Sequence, residues 1–487
     1  MKNFGNLLLA CMAALLGACA GESAGKCDAV VRIDADSVVN RGYIGNGVQW
    51  DPYALDYGKG RVEISDADWA KLYARLDFMR PAFIRVMTNT TSVVRNGRLD
   101  RMRGFEHLSH ILGYCQSRGV TVMFGDWGGS LMDARAGTVN RTLLDHAAAY
   151  VAWLVGEKGY DCIRYYNLVN EPNGFWSAAD GDFDLWAKAV SYFRGRLDAE
   201  GLAGKVELVG PDAAIWGPEE AWWVSRSRDE LGDRIGLYDI HTYPSKCTVN
   251  SGEYARILEA YRREVPAGKK IVMGEIGFKF VEPADSLLQA ENLRRAAAHP
   301  NASTDDSQMF VYDPMYGTDM ADALFQTIHA GYSGCIAWML DDAMHFKEAP
   351  DKLKIWGFWN IFGDEIFGAG EERVRPWYYA WSLLCRTLRP GSDFFAADVR
   401  GAAAVKDGRR TVAVVNVSRE PRRVRIECPG WERFRQATRY RYGEGLMRTE
   451  GDHTLLPDAT GLRIDFRSGA EYDMPGESMI LLTEQND

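Results

Sequence analysis

The chain has 487 residues, 46% of them hydrophobic, which is enough to bury one large core and a smaller second one. Its formal net charge of −10 argues against nucleic acid and anionic membrane surfaces as partners. The nine cysteines form no Cys-x-x-Cys pair and no zinc-like spacing, so we expect neither a metal nor another cofactor. The oligomeric state stays open.

The N-terminal segment is typical of a bacterial export signal. Leu7 to Ala18 is apolar but too short to span a bilayer as a mature helix, and Leu16-Gly17-Ala18-Cys19 resembles the lipobox of bacterial lipoproteins. The resemblance implies a signal peptide over residues 1–19 and lipidation of Cys19. The protein would then be lipid-anchored in the cell envelope, on the periplasmic or cell-surface side of the outer membrane. Ordinary cleavage near Ala18 or Ala20 is the alternative, and residues 20–40 are expected to form a tether and a lead-in strand.

From residue 41 to 390, short β-branched or aromatic runs alternate with helical segments, as in parallel strands joined by crossover helices. Ser65 is a helix N-cap candidate, and Gly119 is a stop signal after the helical pattern at 105–118. The eight strand-like runs are Tyr43–Val48, Phe83–Met87, Val120–Phe124, Ile163–Val169, Val206–Val209, Leu237–Ile240, Ile271–Met273 and Cys335–Trp338. Eight strand–helix pairs predict an α/β fold, a closed (β/α)8 TIM barrel. No Gly-x-Gly-x-x-Gly follows the first run, which disfavours a dinucleotide-binding sheet.

The pattern changes at about residue 391. Short alternating strands, such as Thr411–Val417 and Ser478–Leu482, are separated by turns rich in Gly, Pro and Asp, which predicts a C-terminal antiparallel β-sandwich domain over 391–487. We expect this domain to pack on the barrel, because Trp377 and Trp381 crowd the junction with neighbouring tyrosines.

Two glutamates end predicted strands: Glu171, after the fourth run, and Glu275, at the end of the seventh. Functional residues of such a barrel gather at the C-terminal strand ends, and two carboxyl groups there suit the cleavage of a glycosidic bond. The other strand ends and their loops supply amide, cationic and aromatic side chains, which suit sugar hydroxyls and the apolar faces of sugar rings. The substrate-binding candidates are Trp50, Arg85, Trp127, Asn170, Trp176, His241, Tyr243 and Trp338.

The run Val169-Asn170-Glu171-Pro172-Asn173 resembles the fourth-strand acid/base motif of clan A retaining β-glycoside hydrolases. Ile271 to Gly277 resembles their seventh-strand nucleophile motif. The Asn-Glu-Pro-Asn run is most similar to family 39, although families 5 and 30 share these features. The resemblance implies that Glu171 is the general acid/base, that Glu275 is the nucleophile, and that Asn170 binds the sugar 2-hydroxyl. It also implies roles for Arg85 in holding the nucleophile ionised, for His241 and Tyr243 beside it, and for Trp338 as a sugar platform.

The implied activity is hydrolysis of a β-linked carbohydrate by double displacement through a covalent glycosyl-enzyme. Arg85 and Tyr243, beside Glu275, should lower the pKa of that carboxyl group. The alternative function is a non-catalytic glycan-binding lipoprotein on the same barrel, which would need aromatic platforms but not the glutamate pair. Purely structural interpretations also stand: Arg85 as a core ion pair, His241 as a buried imidazole, and Trp338 as core filling. The sugar, the linkage and the exo or endo mode stay open.

Overall fold

The computed structural model describes residues 27–53, 56–57, 60–61, 63–344, 353–366, 368, 370–398 and 400–485. The predicted signal peptide and Cys19 therefore lie outside the described residues. Within the described ranges, no helix is both long enough and apolar enough to cross a membrane.

Eight parallel strands form a closed barrel, in which each strand pairs with the next along the chain and the eighth pairs with the first. Barrel strands 1 to 8 span Gly45–Gln49, Phe83–Thr88, Thr121–Asp126, Ile163–Asn167, Glu207–Ile215, Ile235–Thr242, Lys270–Ile276 and Gly334–Ala337. Each predicted run overlaps one of them, so the (β/α)8 prediction is confirmed. Inward-facing side chains such as Phe83, Val272 and Ile336 fill the barrel interior, which makes it a packed core.

The α-helices surround and connect these strands. They span Asp66–Met79, Phe105–Arg118, Arg141–Ala152, Phe183–Ala199, Ala221–Arg226, Lys246–Asn250, Glu253–Glu264, Ser286–Ala298, Pro314–His329, Gly363–Ile366 and Trp377–Thr387. The predicted start of the first helix is confirmed, because Ser65 and Asp68 bond each other's backbone N–H groups in a capping box. The predicted stop at Gly119 is also confirmed, with that glycine in the left-handed conformation that ends a helix at φ 67°.

A second, mostly antiparallel β-domain follows the barrel, as predicted. In spatial order its strands are Ala459–Ile464, Phe434–Tyr442, Ser478–Thr483, Arg409–Asn416, Gly401–Lys406, Asp393–Ala397, Ala29–Asn40, Arg422–Glu427 and Ala470–Met474. Its own hydrophobic core includes Val412, Phe434 and Leu482.

The strand Ala29–Asn40 belongs to this β-domain rather than to the barrel. Its first residues run parallel to Arg422–Glu427, and its later residues run antiparallel to Asp393–Ala397. The sequence predicts only a lead-in strand here, because pairing over such a distance along the chain leaves no local pattern. The β-domain is therefore built from both ends of the described chain.

The helix Pro314–His329 lies between the two domains and is buried along nearly all of its length. The Tyr442 hydroxyl donates to the Pro314 carbonyl oxygen at 2.7 Å. Arg400, from the β-domain, donates to the buried carboxylate of Asp322 on this helix and to the carbonyl oxygen of Asn250. The β-domain thus packs on the barrel partly through this helix, with Arg400 and Asp322 as a partly buried ion pair between them.

This ion pair predicts a pH dependence of stability. Burial raises the pKa of Asp322 to about 7, although the charge of Arg400 opposes the shift. Because the folded-state pKa exceeds the unfolded value of 3.8, the group stabilises the fold below about pH 4, and this contribution is lost as the pH rises through 7. In urea titrations from pH 4 to 8, we expect Asp322→Asn to remove a pH-dependent difference in unfolding free energy of roughly 4 kcal/mol.

Asp233→Asn is the matched control, because Asp233 is an exposed aspartate that pairs with Lys269 at the surface. Its unfolding free energy should follow the wild-type pH dependence. If Asp322→Asn gives a curve parallel to that of the wild type, Asp322 does not carry the titration.

Candidate active site

The guanidinium group of Arg85, on barrel strand 2, lies at the centre of the C-terminal strand ends and is fully buried. Its Nη1 donates to Gln49 Oε1 at 3.1 Å and to Glu275 Oε2 at 2.9 Å. Its Nη2 donates to Asn170 Oδ1 at 2.8 Å and to Asp212 Oδ2 at 3.3 Å. One buried cation therefore joins side chains from barrel strands 1, 5 and 7 and from the loop after strand 4.

Glu275 lies on barrel strand 7 and is buried, with His241 of strand 6 directly beside it in the strand register. Its Oε1 accepts a hydrogen bond from the Tyr243 hydroxyl at 2.5 Å. The preceding residue, Gly274, donates its backbone N–H to Asp239 Oδ1 at 2.7 Å. A Cβ atom on Gly274 would lie 2.0 Å from the other Asp239 oxygen, so only glycine fits before this glutamate.

The expectation that Glu275 has a lowered pKa is wrong in direction. Burial raises the pKa of Glu275, and the nearby Glu171 carboxylate adds to the rise. The charges of His241 and Arg85 and the hydrogen bond from Tyr243 oppose the rise without reversing it. Sequence motifs identify the neighbours of a carboxyl group, but they do not show how completely water is excluded from it.

Glu171 follows barrel strand 4 in a left-handed conformation, with φ 48°. Its backbone N–H donates to Asp212 Oδ2 at 3.2 Å, which holds this turn. Its Oε2 accepts from Trp176 Nε1 at 2.7 Å, and its Oε1 lies 3.2 Å from His241 Nδ1. Oxygen atoms of Glu171 and Glu275 lie within 4.8 Å of each other, so the two predicted glutamates face each other across the site.

His241 lies between the carboxylates, fully buried, with its Nε2 atom 2.9 Å from Asp212 Oδ1 and 3.9 Å from Asp239 Oδ2. Burial lowers the pKa of His241, but the surrounding carboxylates, above all Asp212, outweigh it and hold this pKa well above 6.5. Burial and the Asp212 charge also raise the pKa of Asp239 well above its usual value. The protonated imidazole thus supplies a second positive charge beside that of Arg85.

Two groups of side chains have the composition of a metal site among the described residues: Glu171 with His241 and Glu275, and Asp212 with Asp239 and His241. In both groups, carboxylate oxygens already accept hydrogen bonds from the Arg85 guanidinium. That positive charge, at 2.9 Å and 3.3 Å, repels a cation from the same position. We therefore assign no metal to this site.

Aromatic side chains border the site. Trp127 and Trp338 meet edge to face with ring centroids 6.3 Å apart, and the Arg85 guanidinium lies 5.9 Å from the Trp127 ring. Trp176 is 47% exposed above Glu171. Trp356, to which the sequence assigns no role, packs 5.2 Å from Tyr243. These rings give the face the mixture of apolar and charged groups that the sequence predicts.

Trp50 is a correction to the predicted set of site residues. It is fully buried, its Nε1 donates to the Tyr53 hydroxyl at 3.1 Å, and its ring packs against Trp69 and Tyr114 of the outer helices. Neighbouring residues of an extended chain point in opposite directions. Gln49 bonds Arg85 at the site, and Trp50 therefore points outward into the helix layer.

The sequence places Asp212 at the end of the fifth strand but assigns it no role, although it contacts Arg85, Glu171 and His241. Its only sequence signal is its position near the fifth predicted strand, which ends at Val209 in the prediction and at Ile215 in the structure. Asp239 is missed for a different reason: it lies inside a predicted strand, where a carboxyl group is unexpected.

No protein-family model and no curated protein matches the sequence. Solved structures do match the whole fold. They include a family 30 endoxylanase from Clostridium papyrosolvens, at 11% identity and a TM-score of 0.62, covering 94% of this chain and 100% of that one. A family 39 β-xylosidase from Caulobacter crescentus matches at 14% identity and a TM-score of 0.59, with the same coverage. A glucosidase from Croceicoccus marinus matches at 10% identity and a TM-score of 0.63, covering 93% of this chain and 98% of that one.

These structural neighbours are all glycoside hydrolases, two of them from families 30 and 39. Their identities of 10% to 14% establish a shared barrel and β-domain architecture. The likeness is one of fold, so the chemistry of this chain has to be argued from its own side chains.

The Asp212–His241 contact predicts the charge state of the imidazole. In histidine-selective ¹⁵N spectra, the His241 ring should remain protonated at pH 7 in the wild type, with its signal assigned by comparison with His241→Gln. Asp212→Asn removes the main charge that opposes burial, so the ring should lose its proton at a lower pH. Asp133→Asn, an exposed aspartate on the same face, should not change the titration. An unchanged titration in Asp212→Asn would contradict the assigned role of Asp212.

Proposed function

We propose that this chain is a retaining β-glycoside hydrolase that cleaves β-linked glycans or oligosaccharides by double displacement. The observation that carries the proposal is the approach of Glu171 and Glu275, whose oxygen atoms come within 4.8 Å. Retaining enzymes hold their carboxyl groups about 5–5.5 Å apart, whereas inverting enzymes leave about 6.5–9.5 Å for a water molecule. The spacing supports direct attack by one carboxylate.

Glu275 is assigned as the nucleophile because it is the more enclosed of the two glutamates. Arg85 and Tyr243 each bond a different oxygen of its carboxylate, which fixes the direction of attack on the anomeric carbon. Its bond to that carbon forms as the glycosidic C–O bond breaks, and the product is a glycosyl ester. The ionised form is the reactive one, so the raised pKa of Glu275 places a lower pH limit on activity.

Glu171 is assigned as the acid/base because its side chain is the more exposed of the two, at 13% against 6% for Glu275. It first gives its proton to the departing oxygen. As a carboxylate, it then takes a proton from the water molecule that attacks the glycosyl ester, which returns Glu275 to its free form. His241 lies 3.8 Å from Glu275, so its positive charge favours the carboxylate form of the proposed nucleophile.

A non-catalytic glycan-binding lipoprotein is the alternative function, and the buried charges argue against it. Binding a neutral sugar needs platforms such as Trp127 and Trp338, but not a desolvated ion pair. Burying Arg85 and Glu275 together is energetically costly unless every partner is in place. Such a cluster suits a site that must stabilise charge developing in a reaction.

We also propose that Cys19 carries a lipid anchor that holds the protein in the bacterial cell envelope. The support is the lipobox-like run that ends at Cys19 and the short apolar segment before it. An acyl anchor needs no transmembrane helix.

The two glutamates should respond differently to replacement. Glu171→Ala removes the proton donor, so substrates with poor leaving groups should lose about 10²–10⁴-fold more rate than aryl glycosides. Glu275→Ala should lose activity with every leaving group. Added azide should give a β-glycosyl azide with Glu171→Ala and an α-glycosyl azide with Glu275→Ala, as read by NMR.

Glu282→Ala is the control for these variants, because Glu282 is exposed in the loop after Glu275. It should keep wild-type rates. Swapped azide products would reverse the two roles, and a first product with inverted anomeric configuration would exclude double displacement.

Lipidation is tested by labelled palmitate and by membrane fractionation of the full chain in a bacterial host. The wild type should incorporate label and sediment with membranes, whereas Cys19→Ala should do neither. Cys11→Ala is the matched control, because Cys11 lies in the same leader segment, and it should be labelled like the wild type. Label retained in Cys19→Ala would contradict the lipobox interpretation.

A further inference from the structure

The loop after barrel strand 2 carries a short hairpin. Its strands, Val94–Arg95 and Arg98–Leu99, are joined by Asn96 and Gly97, whose φ angles are 51° and 73°. Positive φ angles at both central residues are typical of a type I′ turn, for which Asn-Gly is the favoured sequence. We call residues 94–104, the hairpin and the turn that follows it, the basic hairpin.

The basic hairpin concentrates positive charge on a chain that is negative overall. It holds four arginines and one aspartate, a net charge of +3, whereas the whole chain carries −10. The arginine side chains are all exposed: Arg95, Arg98, Arg101 and Arg103. The aspartate, Asp100, is half-buried, and the next carboxylate, Glu106, lies in the first turn of the following helix. Positive charge therefore dominates the surface of this loop.

These arginines have no counter-charge within the chain. In the part of the chain that the structure describes, none of the four guanidinium groups forms an ion pair or a hydrogen bond. Exposed arginines elsewhere do pair: Arg433 and Arg467 of the β-domain both contact Asp465. The positive charge of the basic hairpin is therefore available to an external anion.

Two of the arginines are set against each other. Arg95 and Arg98 lie directly opposite in the hairpin register. Side chains at directly opposite positions have Cβ atoms about 4.5–5.5 Å apart, and like charges there destabilise the pairing. An anionic group bound between them converts this repulsion into charge-assisted hydrogen bonds from both guanidinium groups. The opposed pair therefore indicates a site for a carboxylate or sulfate group.

The basic hairpin is fixed to the barrel. At its base, Thr90 donates its backbone N–H and its hydroxyl to Asp126 Oδ2, each at 2.5 Å, at the end of barrel strand 3. At its tip, His146 Nε2 of the helix Arg141–Ala152 lies 3.2 Å from the Gly97 carbonyl oxygen. A ligand thus meets a preformed loop, and the backbone needs no ordering on binding.

We propose that the basic hairpin is a binding site for an acidic polysaccharide, which the arginines hold by its carboxylate or sulfate groups. Guanidinium groups bind such oxyanions through paired N–H donors. The loop begins at the end of the barrel where Glu171 and Glu275 lie, so a polymer bound there stays near the proposed site of hydrolysis. The choice of a polysaccharide rests on the proposed function, whereas the anion site rests on the arginines.

An anionic membrane is the other polyanion that four arginines would attract. A bilayer lying against this end of the barrel would cover the approach to Glu171 and Glu275. Met102 is the most exposed apolar side chain of the basic hairpin, at 62%, and one such side chain is far less than the apolar face of a membrane-binding helix. The position and the composition of the loop both favour a polysaccharide.

The test measures binding of the full chain to three immobilised polymers: polygalacturonate, which carries carboxylates, dextran sulfate, which carries sulfates, and neutral dextran. Phosphatidylglycerol vesicles are the fourth ligand. The wild type should bind at least one of the two acidic polymers, with a Kd that rises with NaCl concentration, and should not bind neutral dextran. The acidic polymer that binds identifies the anionic group.

The double variant Arg95→Gln with Arg98→Gln removes the opposed pair. Its Kd for the acidic polymer should rise about ten-fold, because charge-assisted contacts from two guanidinium groups are lost. Its melting temperature should equal or exceed that of the wild type, because the repulsion is lost as well. A pair with a purely structural role predicts the reverse, namely an unchanged Kd and a lower melting temperature.

Arg164→Gln with Arg463→Gln is the matched control. Both arginines are exposed and lie outside the basic hairpin, on barrel strand 4 and in the β-domain. This variant changes the net charge by the same amount and should bind like the wild type. Binding to neither acidic polymer, or equal weakening in both double variants, would overturn the proposal. A hairpin variant that weakens binding to vesicles but to neither polymer would overturn it in favour of a membrane.

Failure of the proposed function has a different signature, because these binding measurements need no hydrolysis. A chain that binds the acidic polymer through the basic hairpin but cleaves no glycoside would contradict the proposed function and retain the anion site. A chain that cleaves glycosides but binds neither acidic polymer would contradict the hairpin proposal alone.

Discussion

Arg85 carries a positive charge at a position with no access to water, and the geometry of the site follows from that single burial. A buried guanidinium is costly unless its donors meet acceptors, and the two terminal nitrogens of Arg85 meet four of them, on Gln49, Asn170, Asp212 and Glu275. Glu171 and Asp212 both adopt left-handed backbone conformations, at φ 48° and 58°. Each such residue is disfavoured by about 1–3 kcal/mol, and it persists where surrounding contacts fix it. The shared carboxylate of Asp212, bonded to Arg85 and to the Glu171 N–H, supplies that fixation.

Positive and negative side chains surround Arg85. They give the chemically identical side chains of Glu171 and Glu275 different environments. Both oxygens of each carboxyl group have a partner, but the side chain of Glu275 is 6% exposed, whereas that of Glu171 is 13% exposed and touches an exposed indole. His241 lies between them and keeps its proton because Asp212 is close by. The proposed nucleophile and the proposed acid/base thus differ in their exposure to solvent as well as in their partners.

The parts of the fold set by local periodicity were predictable from the sequence. The eight barrel strands and the caps at Ser65 and Gly119 follow from patterns within a few residues, and so does the placement of the two glutamates at strand ends. Three features depend on the folded chain instead. Trp50 faces outward because neighbouring side chains of a strand point to opposite faces and Gln49 points into the site. Asp212 gains its role from residues far away in the chain. The pKa of Glu275 rises because of burial, which motifs do not encode.

The pairing of the strand Ala29–Asn40 also constrains the order in which the chain can fold. Arg32 bonds Asp398, 366 positions later, and Asp28 bonds Arg423, 395 positions later. A strand made early in synthesis therefore waits for partners made near the end, and its unpaired edge stays exposed during that interval. The barrel is in effect an insertion within the β-domain. Its eight strands pair only with one another, so the barrel can close while the β-domain is incomplete, and the final segment then joins the two ends of the chain in one sheet.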